Sequence, residues 1–207
     1  LLSSGIDSPV AAYRMMRRGA RIIFLHFSSY PYSDGVEREH VEELVKILAQ
    51  YQFDTKLYVV SFGEFQKYVS LMDGVDSRYN TLLYRRMMYR VAEEITNKEQ
   101  AKGMVSGDSF AQVASQTPEN LLAVHQATSI PLFQPLIAYD KEEVIAIAQE
   151  IGTFAISKLP CKDSCTMFTG AAVEIKAKAA DLIALEQLLE IERWKKDLLA
   201  GAEIVVF

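Results

Sequence analysis

Six consecutive residues near the start of the chain, Ser3-Ser4-Gly5-Ile6-Asp7-Ser8, have the composition of an anion cradle. Small residues let backbone N–H groups approach a ligand, hydroxyls add donors, and Pro9 marks the first turn of a helix whose N-terminus carries partial positive charge. Ser8 is the expected N-cap of that helix. The segment lacks the lysine of the G-x-x-x-x-G-K-[ST] loop and does not follow the G-x-G-x-x-G dinucleotide pattern. A phosphate group is the ligand this loop implies, with an ordinary capped turn as the plainer alternative. Asp7 would repel a bound phosphate unless a divalent cation intervened, so it is assigned to Mg²⁺ or to ordering the loop. The second chemically pointed pair is Cys161 and Cys165. Their C-x₃-C spacing is not the common C-x₂-C, and two cysteines alone complete neither a zinc nor an iron–sulfur site. By themselves they leave a redox pair or two ordinary loop cysteines as the readings.

These groups need elements to hold them. Apolar positions Val10, Ala11, Tyr13, Met15 and Met16 predict a helix from Pro9 to Arg18 that Gly19 ends. The run Arg21 to Phe27 is β-rich with little alternation, as expected of a central strand covered on both faces. The pattern repeats: helix from Val36 to Tyr51, strand from Thr55 to Phe62, helices from Glu64 to Leu71 and Thr81 to Glu94, a short strand at residues 103–107, and a helix from Asp140 to Ile151. Alternating strands and helices predict an α/β fold with a doubly wound parallel sheet, whose ligands bind beyond the carboxyl ends of the strands. Leu1-Leu2 reads as the last residues of a strand, so further sequence is expected upstream. Beyond Gly170 the chain turns to Ala, Leu, Glu and Lys, which predicts one long helix from Glu174 to Leu199 and a strand from Glu203 to Phe207. A packing or oligomerisation arm is the reading of residues 171–207, and a homodimer goes with the second.

Composition narrows the class. At 207 residues, half apolar and about a quarter charged, the chain suits one folded domain of residues 1–170 with the extension beyond it. No apolar stretch approaches the roughly 20 residues of a bilayer span. Two cysteines do not make a secreted disulfide scaffold, so a cytoplasmic location is expected. The net charge of −5 gives no bulk electrostatic argument for a nucleic-acid partner. Two local clusters, Arg14 with Arg17, Arg18 and Arg21, and Arg85 with Arg86 and Arg90, could still serve phosphates.

The loop resembles the S-G-G-x-D-S pyrophosphate loop of the adenine nucleotide alpha hydrolases, the PP-loop ATP pyrophosphatases, with Ser4 in place of the first glycine. Three further segments narrow the resemblance to the ThiI family. They are Leu82-Leu83-Tyr84-Arg85-Arg86-Met87-Met88, Ser106-Gly107-Asp108-Ser109 with Gln112 to Thr117, and Pro135-Leu136-Ile137 with Tyr139 to Glu143. The resemblance spans residues 1 to about 168 and implies a PP-loop, Rossmann-like fold.

It also implies an activity: a uridine O4 of tRNA is adenylated with ATP, pyrophosphate leaves, and sulfur from a persulfide or sulfide donor displaces AMP to give 4-thiouridine. The resemblance places Leu1, Leu2, His26 and Phe27 at the adenosine, with Ser3, Ser4, Gly5, Asp7 and Ser8 around the phosphates. Arg85, Gly107 and Gln116 fall where the family contacts ATP, and Lys141 matches a lysine used near the activated oxygen. The residue types agree. Phe27 offers an apolar wall for a base, Gly107 permits close approach, Gln116 is a two-way amide, and a cation at Lys141 would stabilise charge developing at the α-phosphate. Cys161 and Cys165 occupy the region of the family's catalytic cysteine, where some relatives have a pair serving sulfur transfer or an iron–sulfur cluster. An RNA-binding THUMP region upstream is expected to grip the tRNA. The alternatives are another PP-loop adenylating enzyme, such as a tRNA 2-thiouridylase or an amide-forming synthetase, and a non-catalytic adenine-nucleotide-binding module.

Overall fold

The computed structural model describes residues 1–160, 168–170 and 172–207. Cys161 and Cys165 lie outside the described residues.

Two parallel strands carry the centre of the molecule. β1 (Phe24–Ser28) is buried along its whole length, and β2 (Lys56–Ser61) lies beside it in register from Phe24 opposite Leu57 to Ser28 opposite Ser61. Alternate residues on these strands face two separate cores. Phe24, Leu57 and Val59 pack with Val10, Val41, Leu48 and Val144 from α1 (Asp7–Met16), α2 (Val36–Leu48) and α6 (Lys141–Glu150). Leu25, Phe27, Tyr58 and Val60 pack with Phe65, Leu83, Met87 and Val124 from α3 (Gly63–Ser70), α4 (Asn80–Lys98) and α5 (Pro118–His125). Two cores, one on each face, explain why the sequence shows runs of apolar residues where a half-exposed sheet would alternate.

A second parallel pair, β3 (Met104–Val105) with β4 (Leu132–Phe133), stands on the other side of Leu1-Leu2. The Leu2 nitrogen donates to the Leu25 oxygen at 2.8 Å, and the Leu1 nitrogen donates to the Val105 oxygen at 2.7 Å. These two residues therefore join the ladders, and the loop that follows starts at the carboxyl end of the sheet.

The sequence predicts neither β4 nor α5: two strand residues are too few for a periodic signal, and Leu121, Ala123 and Val124 are too short a run to declare a helix. The predicted helix at residues 174–199 is instead broken. Asn120 clamps its expected start, donating from Nδ2 to the Glu174 oxygen at 2.6 Å and accepting from the Ala177 nitrogen at 3.0 Å. Helix begins only at α8 (Ala179–Glu186) and, beyond a turn in which Leu189 enters the core, resumes as α9 (Ile191–Ala200). Helix propensity is a weak prior that such tertiary contacts override. β5 (Glu203–Val206) then closes the sheet antiparallel to β2, with Lys56 opposite Val206, an edge common on otherwise parallel sheets. A four-residue helix, α7 (Phe154–Ser157), follows α6.

Candidate functional site

The loop at residues 3–8 is closed by its own serines. Ser8 Oγ accepts from the Ser3 nitrogen at 2.8 Å and lies 3.0 Å from Ser3 Oγ, which in turn accepts from the Gly5 nitrogen at 3.3 Å. Ser8 is thus not the N-cap its position suggested: α1 begins one residue earlier, at Asp7. Ile6 precedes it without any side-chain cap, which leaves the first-turn amides without a side-chain acceptor. That is what an anion site at a helix N-terminus requires. Neither Ser4 nor Gly5 has a positive φ, so the serine is accommodated without backbone strain.

Gly107 fixes the loop against the neighbouring strand end. A Cβ there would lie 2.8 Å from both Ser8 Cα and Ser8 N and 3.0 Å from Asp7 C, so only glycine permits this approach. On the other side, α6 opens with a capping box between Asp140 and Glu143 and sends Lys141 across to the loop, its Nζ 2.7 Å from Asp7 Oδ1. Ser157 on α7 donates to the Gly5 oxygen at 3.2 Å. Three chain segments therefore meet at the start of α1.

Beyond Gly107 the chain places Asp108 in a buried cluster. Its carboxylate receives Arg85 Nη2 at 2.7 Å on each oxygen, Ser106 Oγ at 2.8 Å, Gln116 Nε2 and Gln134 Nε2 at 3.1 Å, and the Tyr89 hydroxyl at 3.2 Å. Burial alone would raise its pKa, but the Arg85 charge and the bonds from Ser106, Gln134 and Gln116 hold it below the ordinary carboxylate range. Arg85 is further tied by Nη1 to the Ser115 oxygen at 2.9 Å. Asp108, Tyr89 and Gln134 were not singled out from sequence. The available signal was an acid just past a strand at its carboxyl end.

His26 is buried and donates from Nδ1 to the Leu2 oxygen at 3.1 Å, the ring tautomer being assigned by that carbonyl. Desolvation lowers its pKa, so the ring is neutral and serves to hold the Leu2 backbone; its Nε2 has no partner among the described residues. The ring of Phe27 packs edge-on against Phe62 at 5.2 Å and is 6 % exposed, which places it in the core at the end of β1.

The arginine clusters divide. Arg86, 1 % exposed, makes a two-pronged pair with Glu186 at 2.8 Å on each oxygen, and Arg90 reaches the same carboxylate at 2.7 Å. Both are committed to docking α8 on α4, not to phosphate. Arg14 lies over the Tyr139 ring at 5.4 Å and Arg17 over Tyr13 at 5.9 Å, an outer helix face with stacked guanidinium groups. Among the described residues no group of three or more His, Cys, Asp or Glu side chains could hold a metal ion, and no helix is long and apolar enough to cross a membrane.

Comparison with known proteins agrees with this geometry. The model of the family described as "Thiamine biosynthesis protein (ThiI)" matches residues 1–191. The chain is 44% identical over 205 residues to a protein named "Probable tRNA sulfurtransferase" from Thermus thermophilus, covering 96% of this chain and 50% of that protein. It is 48% identical over 168 residues to one of the same name from Treponema pallidum, covering 81% and 41%. The chain thus spans about half the length of the curated relatives it matches. Its fold superposes on a crystal structure of a 4-thiouridine synthetase–RNA complex with bound ATP with a TM-score of 0.92 and 32% identity, over 100% of this chain and 54% of that one. On the motifs, the fold and these matches, the chain belongs to the ThiI family.

Proposed function

We propose that the chain is the adenylating core of a tRNA uridine 4-sulfurtransferase. The observation that carries this reading is the superposition of the whole chain on about half of a 4-thiouridine synthetase that holds ATP and RNA. The uncapped start of α1 supports it from the chain's own geometry. The uridine O4 attacks the α-phosphorus of ATP, the bond to pyrophosphate breaks, and the adenylated base then loses AMP to an attacking sulfur at C4.

The protein's part is positioning and electrostatics. Backbone N–H groups of residues 3–8 hold the phosphates, with the Ser3 and Ser8 hydroxyls shaping the loop. Leu1, Leu2, and the backbone of His26 and Phe27 flank the adenosine, with Arg85, Gly107 and Gln116 opposite. Lys141 stabilises the charge that develops at the α-phosphate, and its pairing with Asp7 keeps its ammonium at the loop. Asp7 Oδ2 has no partner among the described residues, so Asp7 fits Mg²⁺, which would offset the triphosphate charge. Cys161 and Cys165 are assigned to sulfur relay from a persulfide or sulfide donor. A cluster-bound sulfur at that pair is the outcome an iron assay would reveal. An RNA-gripping THUMP region upstream would hold the tRNA in this reading. A cytoplasmic location goes with the reading.

The test is product analysis of the full-length protein with ATP and tRNA. Pyrophosphate release together with a nucleoside that absorbs in the near ultraviolet is expected. Pyrophosphate release without it would point to a different adenylating enzyme, and absence of both would reject the reading.

A further inference from the structure

We propose that Asp108 is the positioning residue of the nucleotide site, holding Arg85 and Gln116 in the one orientation that binds ATP. The inference deepens the ATP-site reading above and rests on it.

Five side chains from four segments converge on this carboxylate. Arg85 and Tyr89 come from α4, Ser106 follows β3, Gln116 lies in a short 3₁₀ turn at residues 114–116, and Gln134 follows β4. An ionised carboxylate accepts hydrogen bonds and donates none. It therefore dictates the amide of Gln116: the nitrogen must face Asp108, at 3.1 Å, and the oxygen must face away. That oxygen is buried and has no partner among the described residues, so it is an acceptor that waits for a donor. Phosphate oxygens cannot supply one, whereas an amino or hydroxyl group of the nucleoside can. For Arg85, two bonds to the carboxylate and one to the Ser115 oxygen fix the guanidinium plane, and the Asp108 charge balances its own. Asp108 sits beside Gly107, whose backbone abuts Ser8, so the cluster is registered directly against the phosphate loop. An acid with only a folding role would not need donors from both nucleotide-facing side chains.

The test is a double-mutant cycle on ATP affinity in the full-length protein, with Tm followed in parallel. Asp108→Asn adds a donor where only acceptors serve and is expected to weaken ATP binding roughly 10- to 100-fold. Added to Arg85→Ala it is expected to cost clearly less than it does alone, because the Arg85 share of its effect is already lost and only the Gln116 share remains. Wild-type affinity in Asp108→Asn, or losses that multiply, would overturn the proposal while Arg85→Ala alone still reports on the site. Unchanged affinity in Arg85→Ala would overturn the ATP-site reading and the proposal with it. Should Asp108→Asn fail to fold, Ser106→Ala removes one donor to Asp108. It is expected to weaken ATP binding several-fold in the wild-type background and less in Arg85→Ala. No change in either background would overturn the proposal.

Discussion

Lys141 Nζ lies 2.7 Å from Asp7 Oδ1, an ion pair that bridges 134 residues of sequence and joins the first turn of α6 to the first turn of α1. Both side chains keep substantial solvent contact, 42% and 28% exposed, so the pair itself contributes no more than about 1 kcal/mol to stability. Its value lies in where it holds charge. Asp7→Ala is therefore expected to lower pyrophosphate release by roughly 10²- to 10³-fold while Tm shifts by less than about 4 °C. Calorimetry and a pyrophosphate assay on the same preparation decide it. Full activity in the variant would remove Asp7 from the chemistry.

Two glycines separate the roles of the loop and its support. At Gly107 an added Cβ meets backbone atoms of Asp7 and Ser8 at 3.0 Å or less, and backbone cannot step aside cheaply. Gly107→Ala is expected to lower Tm by roughly 2–12 °C and to weaken ATP binding as well. At Gly5 the nearest atom to an added Cβ is Ser3 Oγ at 3.4 Å, an ordinary contact, and φ is not positive. Gly5→Ala should leave Tm unchanged within about 2 °C and still weaken ATP binding, because the methyl group occupies space a phosphate needs. Equal ATP affinity in Gly5→Ala and the wild type would show that the loop does not cradle phosphate.

These residues also show what the sequence could convey. The loop was legible because small residues, a strand end and a helix start are all local features, and the strands were legible because a core on each face gives β1 and β2 apolar residues at successive positions. What escaped were side chains whose meaning depends on distant partners. Arg85 and Arg86 are neighbours of the same type, yet one turns to Asp108 and the other to Glu186. Nothing in a run of arginines says which carboxylate each will meet. Likewise, the late start of α8 follows from Asn120 and the docking of its end from Arg86 on α4, while the local composition favours continuous helix from Glu174.

The cysteines carry a prediction that rests on sequence chemistry, since both lie outside the described residues. A sulfur carrier must be a thiolate able to hold a persulfide, and a second thiol can release that sulfur by forming a disulfide. Adenylation requires neither. Cys161→Ser and Cys165→Ser are expected to retain ATP-dependent pyrophosphate release with tRNA and to lose thiolation. Thiolation at the wild-type rate in both variants would reject the relay, whereas loss of pyrophosphate release would make the segment part of the nucleotide site.

Glu186 makes the attachment of the C-terminal arm measurable. Burial would raise its pKa, but hydrogen bonds and charge from Arg86 and Arg90 win, and the carboxyl is held below its ordinary value. A carboxyl whose folded pKa is depressed adds stability that is fully present above the unfolded value of about 4.3 and is lost as pH falls through the lower folded value. Glu186→Gln removes this charge and leaves Arg86 buried without its counterion, at a cost of about 3 kcal/mol near neutral pH. The deficit relative to the wild type is expected to stay constant from pH 7 to about pH 5 and then to shrink as acid protonates Glu186 in the wild type. Denaturant titrations across this range would show the two stabilities converging on the acid side. A deficit that stays the same down to pH 3 would mean that the pair with Arg86 and Arg90 is not what holds α8 to α4.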